Sequence, residues 1–306
     1  MSKQEGYEYH NPVMLQECIE GLNINPDGIY VDLTFGGGGH SREILKKLNN
    51  GHLYAFDQDS DAAENANEFD TRSFTFIDGN FRYLKRYLKA YGVKQVDGIL
   101  ADLGISSHQI DEASRGFSTR FDAELDMRMD QSAELTAKTV VNEYSKEQLH
   151  KIFGMYGEVK NAKTLAEAIC SARINKQIAT IQDLKDVLVK FAKRGKENRY
   201  YAQVFQAIRI EVNGELQVLE EMLEQTGEVL REGGRLVVMS YHSLEDRLVK
   251  NYIMKGKVSG EMEKDFYGNV LKPLKAINKK PIEATEKEKS KNNRARSAKL
   301  RVAEKV

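Results

Sequence analysis

Three acidic residues each end a short apolar run, and four consecutive glycines follow the first of these acids. Asp32 precedes the glycines Gly36–Gly39, Asp57 ends the next apolar run, and Asp102 ends a later one. Glycines between a strand and a helix let the backbone adopt positive φ and approach a ligand closely. An acid at the end of the following strand is placed to bind ribose hydroxyls. The pattern predicts a Rossmann-like domain that binds a nucleoside cofactor.

The glycine turn also narrows the identity of that cofactor. No Gly-Lys-Ser/Thr follows it, which argues against the phosphate loop of ATP- and GTP-binding proteins. Its spacing differs from G-x-G-x-x-G, which counts against a dinucleotide. The arrangement favours S-adenosylmethionine, with the turn at the methionine end and Asp57 at the ribose. Alternatively, Asp57 caps a helix instead of binding the ribose, since Ser60 and Asp61 indicate a helix start nearby.

The carboxyl ends of the predicted strands supply further candidates. Ligands of open parallel sheets lie at this edge, so Asp32, Asp57 and Asp102 are expected to lie together there. Asp102 is the first candidate for orienting the reacting groups. The alternative is that Asp102 is a buried structural acid that caps nearby backbone amides. Phe81, after a third apolar run, either flanks an adenine ring or belongs to the core.

Three residues later in the chain are candidates for contact with a base. His242 is the second catalytic candidate, because it follows a predicted strand and its ring can hydrogen-bond to or stack on a base. Tyr241 is the alternative stacking platform, and a purely structural histidine is the other interpretation. Asn213, near a predicted helix end, can read the edge of a base.

Long motifs across the chain resemble the RsmH (MraW) family of bacterial methyltransferases nearly end to end. The motifs that carry the resemblance are His10–Val13, Asp32–Ser41, Asp102–Gln109, Arg115–Ser118, Leu125–Asp130, Phe205–Asn213, Ser240–Arg247 and Arg294–Arg301. The resemblance implies a class I methyltransferase that uses S-adenosyl-L-methionine to methylate N4 of a cytidine in 16S ribosomal RNA, at the decoding region of the small subunit. The methyl-donor contacts that it implies are Gly38, Gly39, His40, Asp57, Phe81, Asp102 and Gln109.

Some positions depart from the family pattern. His108 stands where proline is common, and Tyr241 stands where phenylalanine is common. The segment Thr119–Glu124 replaces the usual Asp-Gly-Pro turn, just before Leu125. This last change affects a loop on the substrate side and leaves the cofactor assignment intact.

The charge distribution bears on an RNA partner, although the net charge of the 306 residues is zero. Residues 272–306 carry twelve Lys and Arg against four Glu, a local net charge of +8. Such a basic segment can bind RNA, but for Glu283–Lys291 a solvated and partly disordered tail is expected instead. The alternation over Arg294–Arg301 predicts a final strand with arginines on its outer side, so RNA contacts are expected from Arg294, Arg296 and Arg301.

The arginines of the loop 111–130 are expected to behave differently. Acidic residues are interspersed among them, which favours ion pairs for Arg115, Arg120 and Arg128.

The predicted elements place these residues on an α/β fold with a mostly parallel sheet and an inserted all-helical domain. Strands near 29–34, 52–57, 73–78, 96–102 and 233–240 alternate with helical patterns. Between about 133 and 193 the patterns are wholly helical. The expected domains are a first core part, 1–132, a helical insertion for substrate recognition, 133–199, and a second core part with the basic segment, 200–306.

Composition excludes several other classes. Cys18 and Cys170, the two cysteines, suggest neither a disulfide framework nor a metal cluster. No apolar run is long enough to span a membrane, and the opening Met-Ser-Lys-Gln-Glu lacks a signal peptide. We therefore expect a cytoplasmic protein without metal, and a homodimer is one assembly that the sequence allows.

Methylation of a cytosine amine requires positioning more than nucleophilic catalysis, because the N4 lone pair is delocalised into the ring. Positioning can contribute about 7–11 kcal/mol, whereas a general base contributes about 10²- to 10⁴-fold. The target base must also leave its stack of neighbouring bases.

Two alternative functions remain for the chain. A DNA amino-methyltransferase usually carries Asn/Asp/Ser-Pro-Pro-Tyr/Phe where this chain has Asp102-Leu-Gly-Ile, and a non-catalytic ribosome-assembly protein differs only in lacking turnover.

Overall fold

The structure, a computed structural model, describes residues 12–306, so His10 and Asn11 of the first motif lie outside the described residues. The chain divides into two compact units. One contains the residues up to Gly104 together with Gln217–Val306, and the other is Ile105–Leu216. The second unit includes the expected insertion, 133–199, and extends beyond it on both sides.

The first unit is built on one eight-stranded sheet. Its strands are β1 (Ile29–Asp32), β2 (His52–Asp57), β3 (Phe74–Asp78), β4 (Val96–Asp102), β5 (Leu230–Ser240), β6 (Leu274–Ala276), β7 (Ile282–Glu283) and β8 (Lys299–Lys305). The order is β3-β2-β1-β4-β5-β8-β6, and β7 also pairs with β8. The pairs among β1–β5 are parallel, and those of β8 are antiparallel. The predicted Rossmann-like, mostly parallel sheet is confirmed, and its order reverses between β1 and β4, where such sheets bind ligands.

Helices connect these strands and make up most of the second unit. In chain order they are α1 (Leu15–Leu22), α2 (Gly39–Leu45), α3 (Ser60–Ala66), α4 (Leu84–Ala90), α5 (Ser107–Asp111), α6 (Ala137–Glu143), α7 (Lys146–Met155), α8 (Ala162–Asn175), α9 (Ile181–Leu188), α10 (Glu197–Asn213), α11 (Glu215–Val229), α12 (Ser243–Lys255) and α13 (Glu286–Lys291). Among the described residues, no helix is both long and apolar enough to cross a lipid bilayer.

Alternate residues of each central strand belong to two separate apolar clusters. In β4, Ile99 and Ala101 join the cluster that contains apolar residues of α4, α11 and α12. Leu100 joins the other cluster, with residues of α1, α2 and α3. Burial on both faces explains why these strands read as nearly continuous apolar runs.

The second unit has an apolar core of its own, formed by α6–α10. The helix α7 shows how the sequence builds it. Ser145 and Gln148 cap each other's backbone amides at the helix start, and Leu149, Ile152 and Phe153 follow at the spacing that places them on one buried face. The helical pattern expected between 133 and 193 is therefore present.

The C-terminal segment differs from its prediction. Asn293–Arg296 forms a single tight helical turn, and the strand β8 begins only at Lys299. This strand lies between β5 and the short strands β6 and β7, and its two faces are covered by α1 and α12. The expectation that Arg301 points outward is therefore wrong. The part expected as a solvated tail is ordered as β7 and α13.

Candidate functional site

Three carboxylates meet at the edge of the sheet where its strand order reverses. Asp32 ends β1, Asp57 ends β2 and Asp102 ends β4. The parallel register aligns Asp32 with Ala55 and Leu100 of the neighbouring strands, so all three acids share one edge, as the sequence predicted.

Asp32 is the internal support of the glycine turn. Its side chain accepts hydrogen bonds from the Ser41 hydroxyl (2.7 Å) and from the Thr34 N–H (3.1 Å). Burial raises the pKa of its carboxyl, and these bonds and the nearby His40 oppose that rise. With only 1% of the residue exposed, Asp32 can orient the turn but cannot contact a large ligand.

The glycine turn has the geometry of a cradle. Gly38 has φ +73°, and a Cβ there would lie 2.7 Å from the Phe69 ring. A Cβ on Gly39 would lie 2.3 Å from the Pro12 ring. At Gly37, by contrast, no described residue lies within 4 Å of a Cβ position. Packing therefore demands glycine at two positions, while the third leaves backbone open to a ligand.

Asp57 ties the turn to the second strand. Its Oδ2 accepts from the Gly36 N–H (2.8 Å) and its Oδ1 from the Asp59 N–H (2.9 Å). Burial raises the pKa of this carboxyl to about 6. A carboxylate has about four acceptor positions, so two remain for hydroxyl groups. The predicted helix cap near Ser60 is Asp59, which leaves Asp57 for other contacts.

Asp102 is bracketed by a tyrosine and a histidine. The Tyr241 hydroxyl donates to Asp102 Oδ1 at 2.7 Å, and the Asp102 N–H donates to the Thr34 hydroxyl at 2.7 Å. The His40 Nδ1 lies 3.9 Å from Asp102 Oδ2. Burial raises the pKa of this carboxyl, and His40 and Tyr241 oppose the rise.

His40 presents a buried polar atom to the same region. The residue is 5% exposed, and its Nε2 has no hydrogen-bond partner among the described residues. Leaving such an atom unpaired is costly. Together with the open backbone at Gly37, this atom fits a bound polar ligand at the glycine turn.

Tyr241 is positioned by the first turn of α12. The buried Glu245 carboxylate accepts from the Tyr241 N–H at 2.8 Å. Burial raises the pKa of the Tyr241 hydroxyl, and the adjacent Asp102 raises it further. The Arg294 guanidinium carbon lies 5.8 Å from the centroid of the Tyr241 ring, a cation–π geometry.

His242 is the N-terminal cap of α12. Its Nδ1 accepts from the Glu245 N–H at 3.4 Å, and its Nε2 lies 3.2 Å from Glu245 Oε1. The imidazole thus caps its own helix through Nδ1, whereas its buried Nε2 has no hydrogen-bond partner among the described residues, so a contact between this ring and a base stays a prediction.

Phe81 and Gln109 have local contacts that limit their part in cofactor binding. Phe81 follows β3 and packs, partly buried, against the cluster with α4. Gln109 is 5% exposed, and its Oε1 accepts from the Ser106 N–H at 3.0 Å within α5. The Gln109 carboxamide therefore caps its own helix.

Asn213 is fixed by three hydrogen bonds within the second unit. Its Oδ1 accepts from the Met129 N–H, and its Nδ2 donates to the carbonyls of Met127 and Arg209. These bonds clamp the 127–129 loop to α10, and the reading of a base edge by this side chain stays a prediction.

The loop 111–130 contains the ion pairs that its sequence favours. Arg120 pairs with Asp111 and Arg128 pairs with Asp126. Arg115 is buried and donates to backbone carbonyls of the loop. Its arginines therefore stabilise the loop.

The C-terminal arginines divide into two groups. Arg294 lies against Tyr241 and Arg296 is exposed, whereas Arg301 is 7% exposed and pairs with Asp246 through its Nε at 2.7 Å. A phosphate contact by Arg301 would require breaking this pair, so Arg301 is corrected to a structural residue.

Three residues that shape the site were missed by the sequence analysis. Thr34, Ser41 and Glu245 act through hydrogen bonds to Asp102, Asp32 and Tyr241. The small hydroxyl side chains of Thr34 and Ser41 produce no periodic pattern in the sequence, so their contacts could not be predicted from it. The contact between Glu245 and Tyr241 follows from the turn between β5 and α12.

Comparison with known proteins gives a consistent result over the whole chain. A family model described as the MraW methylase family matches residues 7–306. Ribosomal RNA small subunit methyltransferase H of Cytophaga hutchinsonii is 61% identical over 296 residues, which cover 97% of this chain and 99% of that one. The proteins of the same name from Christiangramia forsetii and Flavobacterium johnsoniae are 60% and 57% identical over 300 residues, covering 98% of each chain.

Proposed function

Since the chain belongs to the MraW methylase family, we propose that it is an S-adenosylmethionine-dependent methyltransferase that acts on N4 of a cytidine in 16S ribosomal RNA of the small subunit. The relatives named for this subunit align over almost their full length. The observation that carries the chemistry is the convergence of the glycine turn, Asp57 and Asp102 at the point where the strand order reverses.

In this proposal the glycine turn and Asp57 bind the donor. Asp57 accepts the ribose hydroxyls with the acceptor positions that Gly36 and Asp59 leave open. Gly37 lets the backbone approach the ligand, and His40 offers its unpaired Nε2. Phe81 lies beside the adenine, with part of its ring in the core. When bound, S-adenosylmethionine supplies a methyl group made electrophilic by its sulfonium.

Asp102 is the proposed catalytic residue. The Tyr241 hydroxyl fixes its Oδ1, which leaves Oδ2 to accept a hydrogen bond from the N4 amine as positive charge develops on that nitrogen. Positioning N4 accounts for most of the rate, as an effect of order 7–11 kcal/mol. His242 holds the start of α12, so it acts by positioning Tyr241 rather than by touching the base.

For RNA, the proposal uses the surface around Tyr241 and the exposed part of the basic segment. Arg294 and Arg296 lie in the tight turn before β8, where their charges can meet phosphates. The helical insertion, 133–199, is proposed to help recognise the RNA. The cytoplasm, where small subunits are assembled, is the proposed location, and the homodimer stays a prediction to be checked by light scattering.

The decisive experiment is methyl transfer from labelled S-adenosylmethionine to small subunits that lack the modification, and to the same RNA stripped of protein. We expect the label in N4-methylcytidine after digestion to nucleosides. Donor binding without transfer to either substrate would contradict the proposal and favour an assembly factor. Transfer to DNA in preference to RNA would favour a DNA amino-methyltransferase.

A further inference from the structure

The segment that follows α12 forms a β-hairpin, Glu263–Leu271, which we call the aromatic finger. Its arms are joined by an antiparallel bridge between Lys264 and Val270. Nearer the tip, the Asp265 N–H donates to the Asn269 carbonyl at 2.9 Å. The finger is therefore a hydrogen-bonded element with a defined tip.

The tip of the finger exposes two large aromatic side chains. Phe266 is 98% exposed and Tyr267 is 86% exposed, with ring centroids 5.7 Å apart at an interplanar angle of 88°. Gly268 follows with φ +85°, the left-handed conformation that ends a three-residue hairpin loop. Exposed apolar surface on an ordered turn gains free energy when a partner covers it.

The charges around the tip favour an anionic partner. Both acids of the finger are engaged locally: Glu263 pairs with Lys257, and the Asp265 carboxylate accepts three hydrogen bonds from the turn. The cations Lys264 and Lys272, on either side of the tip, have no ion-pair partner among the described residues. The two exposed aromatic rings at the tip are therefore flanked in sequence by cations that are available to phosphates.

We propose that the aromatic finger is a second RNA contact, at which Phe266 and Tyr267 stack on unpaired nucleobases while Lys264 and Lys272 contact the flanking phosphates. Aromatic rings beside cations are the combination that binds single-stranded nucleic acid. The inference rests on the proposed function, which supplies the RNA substrate, and it adds a site for a single-stranded segment of that RNA.

The finger lies away from the site of methyl transfer. The helix α12 begins after His242, next to Tyr241, and ends at Lys255, before the finger. Its 13 residues span about 20 Å at 1.5 Å per residue, and the base of the finger packs at the C-terminal end of this helix, where a Cβ on Gly256 would lie 2.6 Å from the Leu271 carbonyl oxygen. The finger therefore contacts RNA that flanks the target cytidine, and it contributes to substrate affinity rather than to the chemical step.

The first test uses the absence of tryptophan from this sequence. A Phe266→Trp variant of the full chain carries its only tryptophan at the tip. We expect a single-stranded oligoribonucleotide, and small subunits that lack the modification, to quench its fluorescence by stacking. Unchanged fluorescence at RNA concentrations that saturate the protein would overturn the proposal. A blue shift with phosphatidylglycerol vesicles, or on self-association, without quenching by RNA would assign the finger to a membrane or to a second copy of the chain.

The second test removes the rings. The double variant Phe266→Ala/Tyr267→Ala should raise KM for small subunits roughly 10-fold or more, in line with the usual loss per stacked base. Its kcat and its Kd for S-adenosylmethionine should stay unchanged. The matched control Phe266→Tyr/Tyr267→Phe keeps both rings and should behave as the unaltered protein. Equal KM values for the alanine and control variants would contradict the proposal.

The two proposals fail in different ways. An unaltered protein that binds the donor but transfers no methyl group to RNA contradicts the proposed function, whatever the finger does. A protein that methylates RNA with full activity, and whose finger variants change neither KM nor fluorescence, contradicts only the role of the finger.

Discussion

The Tyr241 hydroxyl donates a hydrogen bond to Oδ1 of Asp102 at 2.7 Å, which joins the turn after β5 to the end of β4. Burial raises the pKa of the Asp102 carboxyl, and this hydrogen bond opposes the rise because it stabilises the ionised form.

A Tyr241→Phe variant should shift the acid limb of the pH–rate profile to higher pH. Loss of the hydroxyl removes a donor to the carboxylate, so the Asp102 pKa rises further and the ionised form is lost at higher pH. A hydrogen bond to a charged group is worth about 1.5–3 kcal/mol, which corresponds to a shift of about 1–2 pH units.

The measurement is kcat/KM for methyl transfer between about pH 5 and 9. A matched control is Tyr252→Phe, since Tyr252 is buried and its hydroxyl lies 3.5 Å from a backbone carbonyl on another helix. That variant should leave the acid limb in place. An unmoved limb in Tyr241→Phe would mean that Asp102 does not act in its ionised form.

Donor affinity should fall at low pH because of Asp57. Its pKa in the folded protein is about 6, above the ordinary 3.8, because burial disfavours the charged carboxylate. The Asp57 carboxyl is therefore fully ionised, and able to accept ribose hydroxyls, well above pH 6. The ionised fraction falls as the pH drops through that value. Below it, affinity for S-adenosylmethionine should drop about tenfold per pH unit.

Titration calorimetry at several pH values measures this dependence. The Asp57→Asn variant should bind the donor about 10- to 100-fold more weakly at pH 8, the loss expected for hydrogen bonds to a charged group, and its affinity should vary little with pH. A variant that keeps the original pH dependence would show that another group titrates.

A Gly37→Ala variant should separate ligand contact from packing. The added methyl group meets no atom of residues 12–306 within 4 Å, so the free energy of unfolding should change by less than about 1 kcal/mol. Donor affinity should fall roughly tenfold, because the methyl occupies space that a bound ligand needs.

The comparison is Gly38→Ala, whose backbone has φ +73° and whose Cβ would lie 2.7 Å from an aromatic ring. This variant should lose about 1–3 kcal/mol of stability in urea unfolding. Equal donor affinity in Gly37→Ala and the unaltered protein would show that the ligand does not approach this part of the turn.

An Arg301→Met variant should destabilise the fold without weakening RNA binding. Arg301 and Asp246 form a buried pair, with side chains 8% and 14% exposed. Removal of the guanidinium leaves a buried carboxylate with only Lys299 nearby, at 3.9 Å, and breaking such a pair costs about 3–5 kcal/mol.

Urea unfolding measures the loss of stability, and the salt dependence of RNA binding tests for a phosphate contact. The exposed Arg296 provides the contrast, since Arg296→Ala should leave stability nearly unchanged and reduce the salt dependence. A reduced salt dependence in Arg301→Met, with stability retained, would restore Arg301 as an RNA contact.

The local pattern of the sequence was enough to predict the strands that carry Asp32, Asp57 and Asp102, and the glycine turn between the first two. Apolar runs, their length and the glycines after them are properties of neighbouring residues. Parallel strands also place their carboxyl ends at one edge, so the convergence of the acids followed from the βαβ rhythm. The helices of the second unit were predicted for the same reason, because their caps and apolar spacing are local.

Only the tertiary structure decided which of these side chains are already engaged. Tyr241 and Asp102 are 139 residues apart in sequence, and their contact depends on β5 lying beside β4. Arg301 was expected on an outer face and is instead buried, because α12 covers that face of β8 and places Asp246 against it. Strand order and register are set by the packing of the whole unit, and residue spacing does not encode them. Their consequences for Tyr241 and Arg301 therefore could not be predicted from the sequence.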